Sequence, residues 1–289
     1  MPELPEVETV VRDLRPRLVG RRIATLVCHF PGVLVVGEAL DPRAADGKRV
    51  ESISRRGKLV LIDLEGELGM SVHLRMTGHL SIEDPVAPYR THTHVTATLE
   101  GGEELRFVDP RRFGRVELRT RADRAATPFL QALGPEPTDV DAATLAARLE
   151  GRRGPMKGGL LNQHVVAGLG NIYVDEILHR ARVHPRQEAD RLLQREVEAV
   201  VDAMHDVLED AIGSGGSTIR DYRSPSGVEG EFTARHRVFG RDGLPCTTCD
   251  RPIRKIRLSG RGTHFCPACQ PRRRRRPRRR AAHGKGDRS

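Results

Sequence analysis

The chain has 289 residues, of which 37% are hydrophobic and 30% are charged, a balance typical of a folded protein with a sizeable core. It contains no apolar run of about 18 residues and no charged leader before an apolar stretch, which argues against a membrane span and a signal peptide. Its net charge of +10 comes mostly from residues 271–289, which hold nine arginines and one lysine against one aspartate. The rest is nearly neutral, so any anion-binding surface on it must be a patch.

The N-terminal segment combines a potential amine nucleophile with a predicted helix. Apolar residues recur at helical spacing: Val7, Val10, Val11, Leu14 and Leu18. If Met1 is removed, Pro2 becomes the N-terminus, and an α-amino pKa near about 8 leaves part of this secondary amine unprotonated at neutral pH. Glu3 is adjacent and can exchange protons. Proline and glutamate are also ordinary residues at a helix start, so the segment alone leaves a structural role open.

Short apolar segments bounded by Gly, Pro or Asp come next, and they predict a β-sandwich or barrel of about 110 residues. The predicted strands cover 22–28, 33–36, 48–54, 58–64, 68–75, 93–99 and 104–108. Residues 65–66 and 100–103 predict hairpin turns. Cys28 lies in the first predicted strand, where we expect a small core residue.

A proline-containing linker at 120–137 separates these strands from segments with helical periodicity. The predicted helices cover 141–150, 157–166, 172–181 and 190–212, and the last has the broadest apolar face. Residues 213–236 are rich in Gly and Ser and predict a mobile loop. We therefore expect an N-terminal domain at 1–119, a helical domain at 138–236, a cysteine-bearing module at 237–270 and a disordered arginine-rich tail at 271–289. The tail is expected to bind phosphates without sequence preference, or to be a solvated segment without a role.

The cysteine-bearing module carries the most specific spacing in the chain. Two Cys-x-x-Cys pairs lie sixteen residues apart, and they consist of Cys246, Cys249, Cys266 and Cys269. This spacing predicts a zinc ribbon, and a disulfide framework is the weaker alternative in a cytosolic protein. Four thiolates leave no open coordination position, so the zinc is expected to be structural. Arg261, in a predicted turn between the pairs, could present its guanidinium to a phosphate.

Four motifs in this order resemble the formamidopyrimidine-DNA glycosylase family. They are the N-terminal stretch 1–9, the Asp-Pro-Arg-Arg-Phe-Gly stretch 109–114, the Gly-Asn-Ile-Tyr stretch 170–173 and the cysteine spacing. The resemblance extends from Met1 to about Gln270. It implies an α+β multidomain fold, with an N-terminal helix plus β-sandwich, a helical helix–two-turn–helix domain and a C-terminal zinc ribbon.

The resemblance also implies an activity, which is that of a bifunctional DNA glycosylase and abasic-site lyase in base excision repair. Such an enzyme excises oxidised purines, namely 8-oxoguanine and formamidopyrimidines, through a Schiff base and cuts the strand by β,δ-elimination. Pro2 would be the nucleophile, Glu3 the acid/base, Lys58 a lysine needed for activity at the DNA backbone, and Glu6 a residue that supports the site. One structural zinc is the only cofactor expected.

The resemblance assigns the remaining positions to DNA binding. Met76 would enter the space left by the extruded nucleotide, Arg111 would pair with the orphaned cytosine, and Phe113 would wedge between bases. The other DNA-binding positions are His94, Lys157, Asn171 and Arg261. A single lysine or methionine in such segments is more often a surface charge or a core residue, so these roles depend on the resemblance.

Three features depart from the family pattern and leave alternatives open. They are the arginine-rich tail, the pair Gly158-Gly159 after Lys157, and the segment 217–231, which caps the extruded base in relatives. An endonuclease VIII-like glycosylase for oxidised pyrimidines and a non-catalytic DNA-damage-binding zinc protein are the alternatives. The expected partner is damaged double-stranded DNA, bound by a monomer without membrane contact in the bacterial cytoplasm, associated with the nucleoid.

Overall fold

The computed structural model describes residues 1–217 and 230–273. The predicted tail beyond residue 273 and most of the predicted base-capping segment 217–231 therefore lie outside the described residues. The α-helices are α1 (Leu4–Leu18), α2 (Arg121–Ala125), α3 (Pro128–Ala132), α4 (Ala142–Leu149), α5 (Met156–Leu161), α6 (Asn171–Arg180) and α7 (Gln194–Gly213). The strands are β1 (Ile23–Cys28), β2 (Leu34–Val36), β3 (Val50–Arg56), β4 (Leu59–Leu64), β5 (Leu68–His73), β6 (His79–Glu83), β7 (Thr93–Leu99), β8 (Glu104–Val108), β9 (Arg115–Thr120), β10 (Arg254–Leu258) and β11 (Arg261–Phe265).

Helix α1 joins the two main hydrophobic cores. Its predicted apolar face is buried from Val7 to Leu18 in the hydrophobic core of the N-terminal half. Leu4, one turn earlier, packs instead with the helices of the second half, and its backbone N–H donates to the Gly168 carbonyl oxygen at 3.1 Å. The N-terminus of the chain is therefore fixed where the two halves meet.

The N-terminal half is a sandwich of two sheets. One sheet has the order β1-β7-β8-β6, and the other has the order β2-β9-β5-β4-β3. All seven predicted strands are present, and β6 and β9 are additional. Strand β9 lies inside its sheet, yet only Val116 and Leu118 of its six residues are buried. Because the outer face of β9 is charged, this strand does not stand out in the sequence as an apolar segment.

The predicted linker contains the short helices α2 and α3, which begin after Thr120 and at Pro128. One local expectation needs correction. Cys28 is exposed rather than buried, because β1 is an edge strand and its buried positions are Ile23 and Leu26. In this strand an apolar sequence does not mean that both faces are covered.

Helix α6 is the centre of the C-terminal half. Residues 172–179 are all buried, and two acids on this helix bind separate parts of the chain. Asp175 accepts a hydrogen bond from the His264 backbone N–H at 2.8 Å, which attaches the β10–β11 hairpin. Glu176 accepts from the backbone N–H groups of Val238 at 3.0 Å and Phe239 at 2.7 Å. Among the described residues, no helix combines the length and apolar character needed to cross a bilayer.

Candidate active site

Glu3 forms the link between the N-terminus and helix α6. Its carboxylate accepts hydrogen bonds from the backbone N–H groups of Ile172 at 3.0 Å and Tyr173 at 3.4 Å, so it satisfies donors that a helix start leaves unpaired. Gly170 is required beside it, because a Cβ at this position would overlap the Glu3 carboxylate. The predicted acid/base is thus held in one orientation by a helix that begins at residue 171.

Electrostatics place the Glu3 proton near the neutral range. Burial raises the pKa of Glu3 to about 7, while the Lys58 ammonium and the helix N–H groups oppose that rise. Lys58 lies in the tight turn between β3 and β4, directly after Gly57 with its φ of 56°. Burial lowers the Lys58 pKa, and the charges of Glu3 and Glu6 oppose that shift. An acid with a pKa close to the working pH can both donate and accept protons.

Glu6 holds the backbone of Glu3 in place. Its Oε2 accepts from the Glu3 backbone N–H at 2.8 Å, its Oε1 accepts from the Ser217 backbone N–H at 2.7 Å, and the Tyr173 hydroxyl lies 2.5 Å from Oε1. The carboxyl group is fully buried, and burial raises its pKa. Glu6 therefore orders both Glu3 and the residue at the border of the predicted base-capping segment.

A cavity of about 720 Å³ opens onto these groups. Its walls include Glu3, Lys58, Met76, Asn171 and Arg261. Met1 also lines it, whereas Pro2 is buried beside it. With Met1 attached, the Pro2 nitrogen is an amide without nucleophilic character, and removal of Met1 would leave a secondary amine at the cavity wall. Five predicted site residues thus share one cavity.

Three predicted DNA-inserting residues form an exposed cluster. The Arg111 Nη1 lies 3.2 Å from the Met76 sulfur, and the Arg111 guanidinium carbon lies 4.7 Å from the centroid of the Phe113 ring. Met76 is 41% and Phe113 is 51% exposed, so the apolar surfaces of both side chains are open to contact with a partner. The buried Asp109 holds both loops, because it accepts from the Gly114 N–H at 2.7 Å and from the Thr77 hydroxyl.

Asn171 and Arg261 also line the cavity. Asn171 is the first residue of α6, and its Oδ1 is buried without a hydrogen-bond partner among the described residues. Arg261 is exposed at the tip of the β10–β11 hairpin, whose turn uses Ser259 at a φ of 51° and Gly260 at 72°. A helix start and a hairpin tip that face one cavity can hold adjacent phosphates.

The four clustered cysteines match a metal site. The Sγ atoms of Cys246, Cys249, Cys266 and Cys269 all lie within 4.8 Å of one another, and Cys249 is 3.5 Å from both Cys266 and Cys269. Four thiolates at this spacing fit tetrahedral zinc and leave no position for substrate.

Comparisons with known proteins agree with this geometry. Three family models match the chain: the formamidopyrimidine-DNA glycosylase N-terminal domain at residues 1–116, the H2TH domain of the same glycosylase at 133–223, and the zinc finger found in FPG and IleRS at 243–272. The formamidopyrimidine-DNA glycosylase of Moorella thermoacetica is 48% identical over 263 residues, which cover 89% of this chain and 95% of the relative. The chain belongs to the formamidopyrimidine-DNA glycosylase family.

Solved structures extend the similarity to three dimensions. The MutM (Fpg) protein of Thermus thermophilus is 42% identical with a TM-score of 0.84, covering 93% of this chain and 98% of that chain. A Lactococcus lactis Fpg variant, in complex with DNA that contains Fapy-dG, is 37% identical with a TM-score of 0.86 and covers 94% and 100%. Family membership confirms the predicted α+β fold with its zinc ribbon. It makes the chain a DNA glycosylase of base excision repair that has one structural zinc.

Two predicted DNA-binding residues, Lys157 and His94, are buried and form hydrogen bonds within the protein. Lys157 is fully buried, and its Nζ donates to Asp175 Oδ1 at 2.7 Å and to the Gly262 carbonyl oxygen at 2.9 Å. His94 is also buried, and its Nε2 lies 2.9 Å from the Asp109 carbonyl oxygen. In this structure Lys157 attaches the zinc hairpin to α6, and His94 supports the loop that carries Arg111. Their contacts with DNA stay a prediction.

Sequence reasoning missed three residues of the site. His92 is half-buried at a φ of 72°, just before β7, and its carbonyl oxygen accepts from the Asp109 N–H at 3.0 Å. His73 lines the cavity, and burial together with the charges of Arg75 and Lys58 lowers its pKa to about 3. Tyr173 binds Glu6. Of these three residues, only Tyr173 could have been found from the sequence, because it belongs to the Gly-Asn-Ile-Tyr motif.

Proposed function

We propose that this glycosylase excises oxidised purines from double-stranded DNA with the Pro2 amine and then cuts the abasic strand by β- and δ-elimination. The carrying observation is the cavity of about 720 Å³ on which Glu3, Lys58, Asn171 and Arg261 converge, with Met76 at its rim. This cavity supports the proposal, because a carboxyl group, two cationic side chains and a methionine line one space of nucleotide size. The chemistry fits a lesion that is extruded from the helix before it reacts.

The reaction begins with the free Pro2 amine. Its lone pair attacks C1′, the bond from C1′ to the base breaks, and the electron pair leaves with the base, which takes up a proton. Loss of the amine proton and protonation of the ring oxygen by Glu3 open the sugar to an iminium. The positive nitrogen acidifies the C2′ proton, so that removal of protons expels first the 3′ and then the 5′ phosphate.

The other predicted residues hold the DNA. Lys58, Asn171 and Arg261 would bind phosphates around the lesion, and Met76, Arg111 and Phe113 would fill the gap in the helix. We also propose the division into domains at 1–119, 138–236 and 237–270, because the hydrophobic cores lie within these ranges except for Leu4. A monomer in the bacterial cytoplasm, near the nucleoid and without membrane contact, completes the proposal.

The decisive experiment is borohydride trapping on a duplex that carries one 8-oxoguanine opposite cytosine. N-terminal sequencing first establishes that Pro2 is the mature terminus. We expect a covalent adduct that maps to Pro2 and is absent with undamaged duplex and with a Pro2→Gly variant. An adduct only with thymine glycol would replace the purine substrate by a pyrimidine. Tight binding without any adduct, with Pro2 free, would contradict the lyase mechanism and favour a non-catalytic DNA-binding protein.

A further inference from the structure

A chain of four buried side chains runs away from the active site. The Glu6 carboxyl lies 2.5 Å from the Tyr173 hydroxyl, this hydroxyl lies 3.2 Å from Ser217 Oγ, and Ser217 Oγ lies 3.0 Å from His236 Nε2. Glu6, Tyr173 and Ser217 are fully buried, and His236 is 8% exposed. Each of the three contacts is short enough to carry one hydrogen bond.

The two ends of this chain lie in different surroundings. At one end, Glu6 Oε2 accepts from the backbone N–H of Glu3. At the other end, His236 lines a separate cavity of about 500 Å³. Burial lowers the pKa of the imidazole, and the Phe239 backbone beside it opposes that shift.

When His236 carries a proton on Nδ1, this chain is complete in two states only. With a neutral His236 whose proton is on Nδ1, Ser217 donates to Nε2, Tyr173 donates to Ser217, and a protonated Glu6 donates to Tyr173. If each proton moves one step, the Glu6 proton goes to the tyrosine oxygen, the tyrosine proton to the serine oxygen and the serine proton to Nε2. The result is a Glu6 carboxylate and a His236 imidazolium, with every hydrogen bond again made and no other atom transferred.

We propose that Glu6 and His236 share one proton through Tyr173 and Ser217, and that His236 is thereby a positioning residue that controls the charge next to Glu3. The proposal rests on the proposed role of Glu3 as acid/base. Burial raises the pKa of Glu6 and lowers that of His236 to about 4, so the shared proton rests on Glu6. A neutral Glu6 spares Glu3 the repulsion of a second buried carboxylate, which would raise the Glu3 pKa further.

Other charges face both ends and define the background. Glu3 and Lys58 act on Glu6, and Arg241 and His264 oppose a charge on His236. The cavity beside His236 adds further charged groups, namely Glu176, Arg180, Asp210, Arg235 and Arg237. Arg180 pairs with Asp206 and Arg235 pairs with Asp210. Burial, together with the charges of Arg241 and His264, thus favours a neutral His236.

The test is a ¹³C and ¹⁵N NMR titration of the full-length, zinc-loaded protein without DNA. Carboxyl signals of Glu3 and Glu6 are assigned by their loss in Glu3→Gln and Glu6→Gln variants. We expect Glu6 to be protonated at pH 7 and His236 to carry its proton on Nδ1. In His236→Leu, Ser217 can donate only towards Tyr173, and Tyr173 then donates to Glu6. The Glu6 midpoint should fall, and that of Glu3 should rise by roughly one pH unit.

Ser217→Ala should cause the same two shifts, and the double variant should add nothing further. Ser81→Ala is a matched control, since Ser81 Oγ is also buried but has no hydrogen-bond partner among the described residues. A His236 proton on Nε2, unchanged midpoints in both variants, or additive shifts would overturn the proposal. Because the titration needs no turnover, its failure is independent of the borohydride result: a trapped Pro2 adduct with unshifted midpoints would reject the relay alone.

Discussion

At the scale of single residues, the active site contains a buried acid, Glu3, whose charged form is energetically unfavourable. Glu3 is 3% exposed, and its pKa rises from 4.5 to about 7 because burial removes its carboxylate from water. The two N–H groups of α6 and the Lys58 ammonium compensate for only part of that loss. The protein thus tolerates a destabilising acid at the position where the proposed chemistry needs a proton donor near neutral pH.

Replacement of Glu3 by Gln should therefore abolish strand cleavage and stabilise the fold at high pH. The folded pKa lies above the unfolded one, so the stability contributed by protonated Glu3 is present below about pH 4.5 and is lost as pH rises through about 7. At pH 8.5 the wild-type penalty is at most about 3 kcal/mol. Thermal unfolding at pH 5 and pH 8.5 measures it, with the exposed Glu150→Gln as control. An equal effect of Glu3→Gln at both pH values would contradict the buried, raised pKa.

Lys157 illustrates a structural role for a residue with an expected DNA contact. Lys157→Met would leave Asp175 buried without its ammonium partner, which should cost about 3–5 kcal/mol of unfolding free energy. Lys255→Met is the control, because Lys255 is exposed and lies 3.9 Å from Asp242, so little stability should be lost. Urea unfolding of the zinc-loaded variants measures both. If Lys157→Met kept full stability but lost DNA affinity, the phosphate contact would be its main role.

At the scale of elements, α6 organises the site. Its N-terminus is capped by Glu3, its middle holds the zinc hairpin through Asp175, and Tyr173 on the same helix reaches Glu6. Each of the three contacts joins residues that are far apart in the chain. Their geometry depends on how α1 and the hairpin pack against one helix, and no local pattern in the sequence records that packing.

The turn before α6 gives a sharp prediction. A methyl group at Gly170 would overlap the Glu3 carboxylate, so Gly170→Ala should displace Glu3 and reduce single-turnover excision by roughly 100-fold, a loss comparable to a missing acid/base group. Gly213→Ala provides the matched control, because a Cβ there meets nothing within 4 Å and suits the end of a helix. Comparable excision rates for the two variants would show that Glu3 need not occupy its observed position.

Local patterns predicted much of the fold. The periodic apolar residues of α1 and α7, the strand-rich half and the cysteine spacing all depend on neighbours in sequence, and they were placed within a few residues. Burial of individual side chains depends on distant partners. His94 and Lys157 therefore lie inside the protein, against the expectation for groups that bind DNA. The left-handed backbone of His92 also has no signal in the sequence.

At the scale of the whole molecule, two cores and a zinc hairpin enclose one cavity. The sandwich supplies Lys58 and the exposed Met76 cluster, the helices supply Asn171, and the hairpin supplies Arg261. Because α1 spans both cores, a shift between the halves would move Glu3 relative to α6. Because the zinc hairpin supplies Arg261 to this cavity, excision should also depend on the hairpin, even though zinc takes no part in the chemistry.

Charge is divided unevenly across the molecule, and this predicts a function for the C-terminal tail. Residues 274–289 hold seven arginines and one lysine against one aspartate, and the zinc-finger match ends at residue 272. Arg273 is the last residue that the structure describes. It donates to the Arg191 carbonyl oxygen at 2.6 Å and to Glu196 at 2.9 Å. The tail thus adds cations beyond the folded site. It should increase DNA binding outside the lesion through release of counterions.

Deletion of residues 274–289 should flatten the plot of log affinity against log salt for undamaged duplex by several units, at most about 7. Single-turnover excision at saturating protein should stay unchanged, since every proposed catalytic residue lies before residue 274. A variant of full length whose tail arginines and lysine are replaced by serine separates charge from chain length and should behave like the deletion. Fluorescence anisotropy across a salt series gives the slope. An unaltered slope in both variants would leave the tail without a role in DNA binding, and a slower excision step would place it in the active site.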